Sequence, residues 1–372
     1  MLKGIGMTQK AYIYSLQEYD TTKKVCGLYI LERLIYTLQK AGIKYIYIML
    51  NEREQKFYDH NILPHIKKRK INVQQCLPCT VPEKGSLYVP SNLFVQPHYF
   101  ENFNEYFKQK KGLFEPVVND RQFIISTNDD IKKAELLVVK YIIDNTGGYI
   151  AKNINKRISI PISLQLAKTR VHPNILTIIN MIVGFLSAYY VLQGTYWQVV
   201  LGGLLFQLAS VFDGVDGEVA KFTFKVSKIG GWLDTIGDNG TLLLFLIAVS
   251  VLYFKNTSTV AASIIVTMLF VGLFWFIGMI VWYLRKFSES GSLVAYDKEF
   301  LQKLPQDDML VKFALSMKYF TKKEFFALFF FCISFTGKIY ILIPIITCTV
   351  CCGAIILTII NKKYFRIVDT LR

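Results

Sequence analysis

Apolar residues fall in two patterns along this chain. Over residues 1–145 they form short runs separated by polar turns, as in a soluble domain. Tyr12–Tyr14 and Lys44–Leu50 are short β-type runs. Between them, Gly27–Gly42 places Leu31, Leu34, Ile35 and Leu38 at helical spacing, and Gly42 is a natural stop. Strand, helix, strand in that order predicts a parallel, Rossmann-like α/β unit. Ser86–Val95 and Gln122–Ser126 predict further strands, and Asn128–Asp144 predicts a helix with a polar cap at its start.

From Pro173 onward the apolar runs lengthen. Six spans are expected, at 173–193, 196–212, 239–254, 258–284, 324–337 and 339–360. A helix needs about 20 apolar residues to cross the hydrocarbon core, so the second, third and fifth are short. The segment before them, Lys152–Arg170, mixes basic and apolar positions and predicts an amphipathic helix along the membrane surface. The expected organisation is a soluble α/β domain at 1–145, an amphipathic juxtamembrane segment at 146–172, an all-α six-helix membrane domain at 173–362 and a tail at 363–372. There is no internal repeat and no low-complexity segment.

Composition narrows the class. Apolar residues make up 52% of the 372 positions, which excludes a disordered chain. Lys and Arg number 43 against 27 Asp and Glu, a net charge of +16 that asks for an anionic partner. The long apolar runs make that partner the phosphate face of a membrane, and no nucleic acid is expected. Basic residues cluster before span one (Lys152, Lys156, Arg157, Lys168, Arg170) and between spans two and three (Lys221, Lys225, Lys228). They recur between spans four and five, from Arg285 to Lys323, and after span six (Lys362, Lys363, Arg366). The alternate connections are nearly uncharged, so both termini are expected in the cytoplasm. The opening stretch MLKGIGMTQKAYIYS lacks the apolar core of a signal peptide, which agrees with a cytoplasmic first domain. Seven cysteines, three of them in an apolar run at Cys348, Cys351 and Cys352, imply no disulfide framework.

The stretch Asp213–Asp238, DGVDGEVAKFTFKVSKIGGWLDTIGD, carries the chemistry. Asp213 and Asp216 are three residues apart, Asp234 and Asp238 four, so each pair shares one helix face. Two such helices facing each other gather four carboxylates at the bilayer edge, which is costly unless a cation is shared. Oxygen ligands suit Mg²⁺ or Mn²⁺, and metals so held suit phosphoryl chemistry. Gly217 and Gly230 leave room for a phosphorylated ligand beside the acids, and Lys221, on the helical face of Gly217, neutralises a phosphate. A solvated acidic loop is the plain alternative. Four acids in helical register, with two glycines and a cation beside apolar spans, argue against it.

These residues match the pattern D-x2-D-G-x2-A-R-x8-G-x3-D-x3-D of the CDP-alcohol phosphotransferases, six-span membrane enzymes that the chain resembles over about Gly147–Ile360. Asp213, Asp216, Gly217, Ala220, Gly230, Asp234 and Asp238 fall in register, and Lys221 stands where the family has Arg. The wording DGVDGEVAK and GGWLDT looks closest to the branch that includes di-myo-inositol-phosphate-phosphate synthase. Pro173, Asn174 and Thr177 resemble the P-N-x-x-T start of that branch's first span. The resemblance implies two metal ions held by Asp213, Asp216, Asp234 and Asp238, and a CDP-linked donor, CDP-diacylglycerol or a CDP-polar alcohol. It implies donor contacts from Asn174, Thr177, Asp213, Gly217, Lys221 and Gly230. Asp238 would be the general base on the hydroxyl acceptor, with CMP released, and a homodimer is implied too. Lys318, Lys322 and Lys323 are candidate acceptor-binding cations or positive-inside anchors.

Residues 1–145 resemble, in outline, a sugar-phosphate nucleotidyltransferase domain. The glycine-rich phosphate loop is replaced by SLQEYDTTKK, and Ser91 and Asn92 stand where a metal-binding Asp is expected. A domain that keeps the fold without cytidylyl transfer is therefore expected, with a bifunctional enzyme as the alternative. Cys76 and Cys79 form a lone CxxC, read as two loop thiols, and His60, His65, His98 and His172 form no motif. Phe329, Phe330 and Phe331 read as lipid-facing or packing residues. The competing class is a non-catalytic polytopic ion- or lipid-binding protein, which would more often place its acids near the membrane midplane on interrupted, repeated helices.

Overall fold

The computed structural model describes residues 10–15, 22–76, 81–96, 107–110, 112–169, 171–287, 304–305, 308–320 and 323–370. Arg170, Cys79, His98, Lys322 and residues 16–21 of the SLQEYDTTKK stretch lie outside them. Contacts divide the chain into two units. One comprises Met1–Thr146, Ile160–Pro173 and Gly217–Val226, the other Gly147–Ser159, Asn174–Asp216 and Ser227–Arg372.

The first unit is α/β. Its elements are β1 (Lys10–Tyr14), the hairpin β2 (Lys24–Val25) and β3 (Leu28–Tyr29), α1 (Ile30–Lys40), β4 (Tyr45–Met49), α2 (Glu52–Asn61), α3 (Leu63–Lys68) and β5 (Val73–Gln75). Then come β6 (Leu87–Pro90), β7 (Leu93–Val95), β8 (Phe107–Lys110), β9 (Leu113–Pro116), β10 (Gln122–Ile124) and α4 (Asn128–Asp144). The main sheet runs β5-β4-β1-β6-β9-β8. It is parallel except for the β8–β9 pair. Ala11, Tyr12 and Ile13 of the central strand are buried, as expected where both faces are covered. The parallel order agrees with the expected α/β unit and fits a nucleotidyltransferase-like fold. The run Ser86–Val95 is not one strand. It breaks at Ser91 and Asn92, and β7 leaves the main sheet to pair with β10. Helix α4 begins as its cap predicts: the Thr127 side chain accepts from the Asp130 amide, and Asp130 accepts from the Thr127 amide at 2.8 Å.

The remaining elements are helical: a π-helical turn at Ala151–Asn155, α5 (Lys156–Thr169), α6 (Pro173–Gln193), α7 (Tyr196–Phe222), α8 (Lys228–Asn256), α9 (Thr259–Phe287), α10 (Met309–Phe320), α11 (Lys323–Ser334) and α12 (Leu342–Thr370). Within the first unit, Ser163 and Ala167 of α5 are buried, and Gly27 approaches the Ala167 carbonyl so closely that any Cβ would clash.

Among the described residues, five helices are long and apolar enough to cross a membrane, the ones at α6, α7, α8, α9 and α12. Many of their apolar side chains, such as Ile175, Ile178 and Ile182, are exposed, as lipid-facing residues are. The expected fifth span is α11, whose 12 residues give about 18 Å against a hydrocarbon core of about 30 Å. The short second and third spans prove to be parts of longer helices: α7 continues to Phe222 and α8 begins at Lys228, so the polar motif extends the apolar runs instead of ending them. Small residues let these helices approach: a Cβ on Gly202 would lie 2.6 Å from the Val191 Cγ2. Phe206, Phe245 and Phe330 form the aromatic centre, with Phe206 and Phe245 stacked at 4.0 Å. Phe330 is thus a core residue.

Candidate active site

The acids sit where α7 and α8 carry the motif. Asp213 and Asp216 lie on one face of α7, Asp234 and Asp238 on one face of α8. Carboxylate oxygens of Asp213, Asp234 and Asp238 fall within 4.8 Å of one another. Asp216 is buried, and its Oδ2 accepts a hydrogen bond from the Thr177 hydroxyl of α6. A third element reaches in: Lys323, at the start of α11, donates to Asp238 Oδ1 at 2.6 Å and lies 3.5 Å from Asp213 Oδ1. Three carboxylates against one ammonium leave the cluster net negative, and buried Asp213 Oδ1 accepts no hydrogen bond among the described residues. These are hard oxygen donors with charge to spare, so the residues present fit a divalent cation of the Mg²⁺ or Mn²⁺ type.

Around the acids, Ser227 caps α8 by accepting from the Gly230 amide at 3.0 Å. A Cβ on Gly230 would lie 3.0 Å from the Asn174 Oδ1, so a larger residue there would push the Asn174 side chain aside by a few tenths of an ångström. Gly217 and Lys221 are exposed on the last turns of α7, and nothing lies within 4 Å of a Cβ placed on Gly217. Of the expected acceptor cations, Lys323 joins the acids, Lys322 lies outside the described residues and Lys318 is described by its backbone alone.

Two polar residues escaped the sequence reading. Asn180 is buried one turn beyond Thr177, and its Oδ1 accepts no hydrogen bond among the described residues. The spacing of Asn174, Thr177 and Asn180 in an otherwise apolar span was the available signal. Glu218, inside the motif stretch, is buried and accepts from the Ser163 hydroxyl at 2.6 Å. In the α/β unit, Asn92 donates to the Ile125 carbonyl at 2.9 Å and the Ser91 amide to the Tyr14 carbonyl at 2.8 Å, so this turn spends its polar groups on joining strands.

The profile of the CDP-alcohol phosphatidyltransferases matches residues 170–360, more than half of the chain. The chain belongs to this family. Among relatives, it is 38% identical over 138 residues to the bifunctional IPC transferase and DIPP synthase of Archaeoglobus fulgidus, covering 37% of this chain and 27% of that protein. The protein of the same name from Aquifex aeolicus is 36% identical over 127 residues, 34% of this chain and 28% of its own. The archaetidylinositol phosphate synthase of Pyrococcus horikoshii is 38% identical over 74 residues, 20% of this chain and 37% of its own. The match thus spans little more than a quarter of the first two relatives. Family membership and the apolar helices make this an integral membrane protein of a transferase family.

Proposed function

We propose that the chain transfers a substituted phosphate from a CDP-linked donor to an alcohol, releasing CMP. The observation that carries this reading is the convergence of Asp213, Asp234 and Asp238 within 4.8 Å in the family's register. In the proposed step, Asp238 takes the proton of the acceptor hydroxyl. The resulting oxygen attacks the phosphorus distal to cytidine. A new O–P bond forms, the anhydride P–O bond breaks, and its electron pair leaves on CMP. Asp213, Asp234 and Asp238, with Asp216 beside them, would hold a divalent cation, which when bound would supply neutralising charge to the donor pyrophosphate and the departing CMP. Two such ions are expected.

Thr177 fixes the Asp216 carboxylate. Asn174, Gly217, Gly230 and Lys221 would line the donor's phosphates, Lys221 as a point charge without the bidentate fork of an Arg. Lys323, already bonded to Asp238, would orient that base, and Lys318 and Lys322 would draw an anionic acceptor. The names of the relatives favour an inositol-bearing substrate on one side of the reaction. The basic connections support a cytoplasmic site with both termini inside, the α/β domain would be non-catalytic, and a homodimer is expected from the family.

The test is purified protein with Mg²⁺ or Mn²⁺, a panel of CDP-linked lipids and CDP-inositol, and a matching panel of alcohols, scored by CMP release. Release is expected with at least one pair and is lost in EDTA. No release from any pair would sink the transferase reading, and release in excess chelator would remove the cation.

A further inference from the structure

Residues Gly217–Val226 belong to the same unit as the α/β sheet, and they are held there in an unusual way. The last carbonyls of α7 have no partner within the helix. Helices commonly solve this with a glycine in the left-handed conformation. Here Phe224 takes that conformation, at φ 54°, although a side chain makes it costly. The Lys225 amide closes on the Ala220 carbonyl at 2.8 Å and the Phe224 amide on that of Lys221, and two arginines take the three carbonyls that follow. Arg33 of α1 donates from Nη1 to the Phe222 carbonyl at 3.2 Å. Arg69, just after α3, donates from Nη2 to the Thr223 carbonyl at 2.9 Å and from Nη1 to the Phe224 carbonyl at 3.0 Å.

Their planes are also fixed. The Arg33 guanidinium lies 5.2 Å from the Phe224 ring centroid, and that of Arg69 lies 3.9 Å from the ring of Tyr36. One turn earlier on α7, buried Glu218 accepts from the Ser163 hydroxyl of α5. Phe222 packs into a core cluster with Val25, Ile30 and Ala167. A chain that needed only to end a helix would place glycine and water here. This one buries Arg33, 4% exposed, on the Phe222 carbonyl and adds half-buried Arg69 on the next two. The gripped segment carries Gly217 and Lys221, both exposed.

We infer that the α/β unit is a positioning module: Arg33 and Arg69 hold the end of α7 and the turn that follows it, so that Gly217 and Lys221 present a fixed surface to the donor phosphates. The clamp itself stands on the contacts above, and its benefit to the donor rests on the proposed function. Neither arginine touches a reacting atom. A domain without a phosphate-cradling loop thereby keeps a use for its fold. Pre-ordering this turn removes an entropy cost that donor binding would otherwise carry.

The test uses the full chain in detergent or nanodiscs. Arg69→Met keeps the apolar stem and removes both hydrogen bonds, and Arg69→Lys restores one donor at a time. Hydrogen exchange is followed over 217–226, and CDP binding is measured with Mn²⁺ present. Arg69→Met should speed exchange in that stretch and weaken CDP binding about tenfold, with the loss in turnover falling on the donor KM. Arg69→Lys should recover part of both. Unchanged exchange, or faster exchange with wild-type CDP affinity, overturns the inference. Absence of CDP binding by the wild type would instead be failure of the donor reading, told apart because it affects every variant alike. Phe224→Gly, which keeps the left-handed turn but deletes the ring that Arg33 covers, gives the same readouts should Arg69→Met not fold.

Discussion

Asp238 lies one helical turn after Asp234 and takes its nearest charge from Lys323, 2.6 Å away on another helix. A carboxylate paired in this way is held in place by a charge-assisted hydrogen bond. General-base catalysis contributes about 10²–10⁴-fold, so Asp238→Asn should lower CMP release by about that factor. The amide keeps the shape of the side chain, and CDP binding should largely persist. Full turnover in this variant would remove Asp238 as the base. The acids, the glycines and Lys221 were all legible as residue types at a spacing. The partner of Asp238 was not: Lys323 is 85 residues away, and in sequence it looks like one more positive-inside lysine. Likewise Thr177 reads as a helix-start residue until its hydroxyl is seen on Asp216.

Among the elements, Asn128–Asp144 and Pro173–Gln193 appear with the bounds that their caps and apolar runs predict. Local signals decide such helices. Helices α7 and α8 run past their expected ends because propensity and neighbouring packing carry a helix through polar residues, and hydropathy marks only the apolar part of it. The strand run at 86–95 splits because buried Asn92 bonds to the Ile125 carbonyl, which sends β7 to a different partner. At the N-terminus of α10, Asp308 accepts from the Lys363 ammonium, from the Tyr364 hydroxyl and from the Leu310 amide. The Lys363 bond above all holds its carboxyl well below the usual carboxylate range. A depressed folded pKa contributes stability above the unfolded value of about 3.9, and that stability is lost as pH falls below it toward the folded value. Asp308→Asn should therefore lower the melting temperature at pH 7, and the gap from wild type should close below about pH 4. A gap independent of pH would show that the carboxylate's charge is not what joins α10 to α12.

At the scale of the whole molecule, folding gathers like charges that an extended chain would keep apart, and a cation that binds only the gathered form must stabilise it. At a concentration a hundredfold above its dissociation constant, such a ligand adds about 2.7 kcal/mol to the folded state. Mn²⁺ should raise the melting temperature of the wild-type chain, and the rise should vanish in Asp213→Asn with Asp234→Asn. An equal rise in the double variant would place the bound ion elsewhere.

Hydrophobic periodicity and residue spacing were enough to separate an α/β half from a membrane half and to single out eight motif positions. Each of those signals is local, repeating within a few turns of one helix or along one strand. The rest needed folding, because it depends on pairs distant in the chain: Lys323 with Asp238, Asn174 against Gly230, and Arg33 and Arg69 on the carbonyls at and just past the end of α7. Such pairs leave no periodic trace in the sequence, since their partners are chosen by which surfaces the packed core brings within a few ångströms.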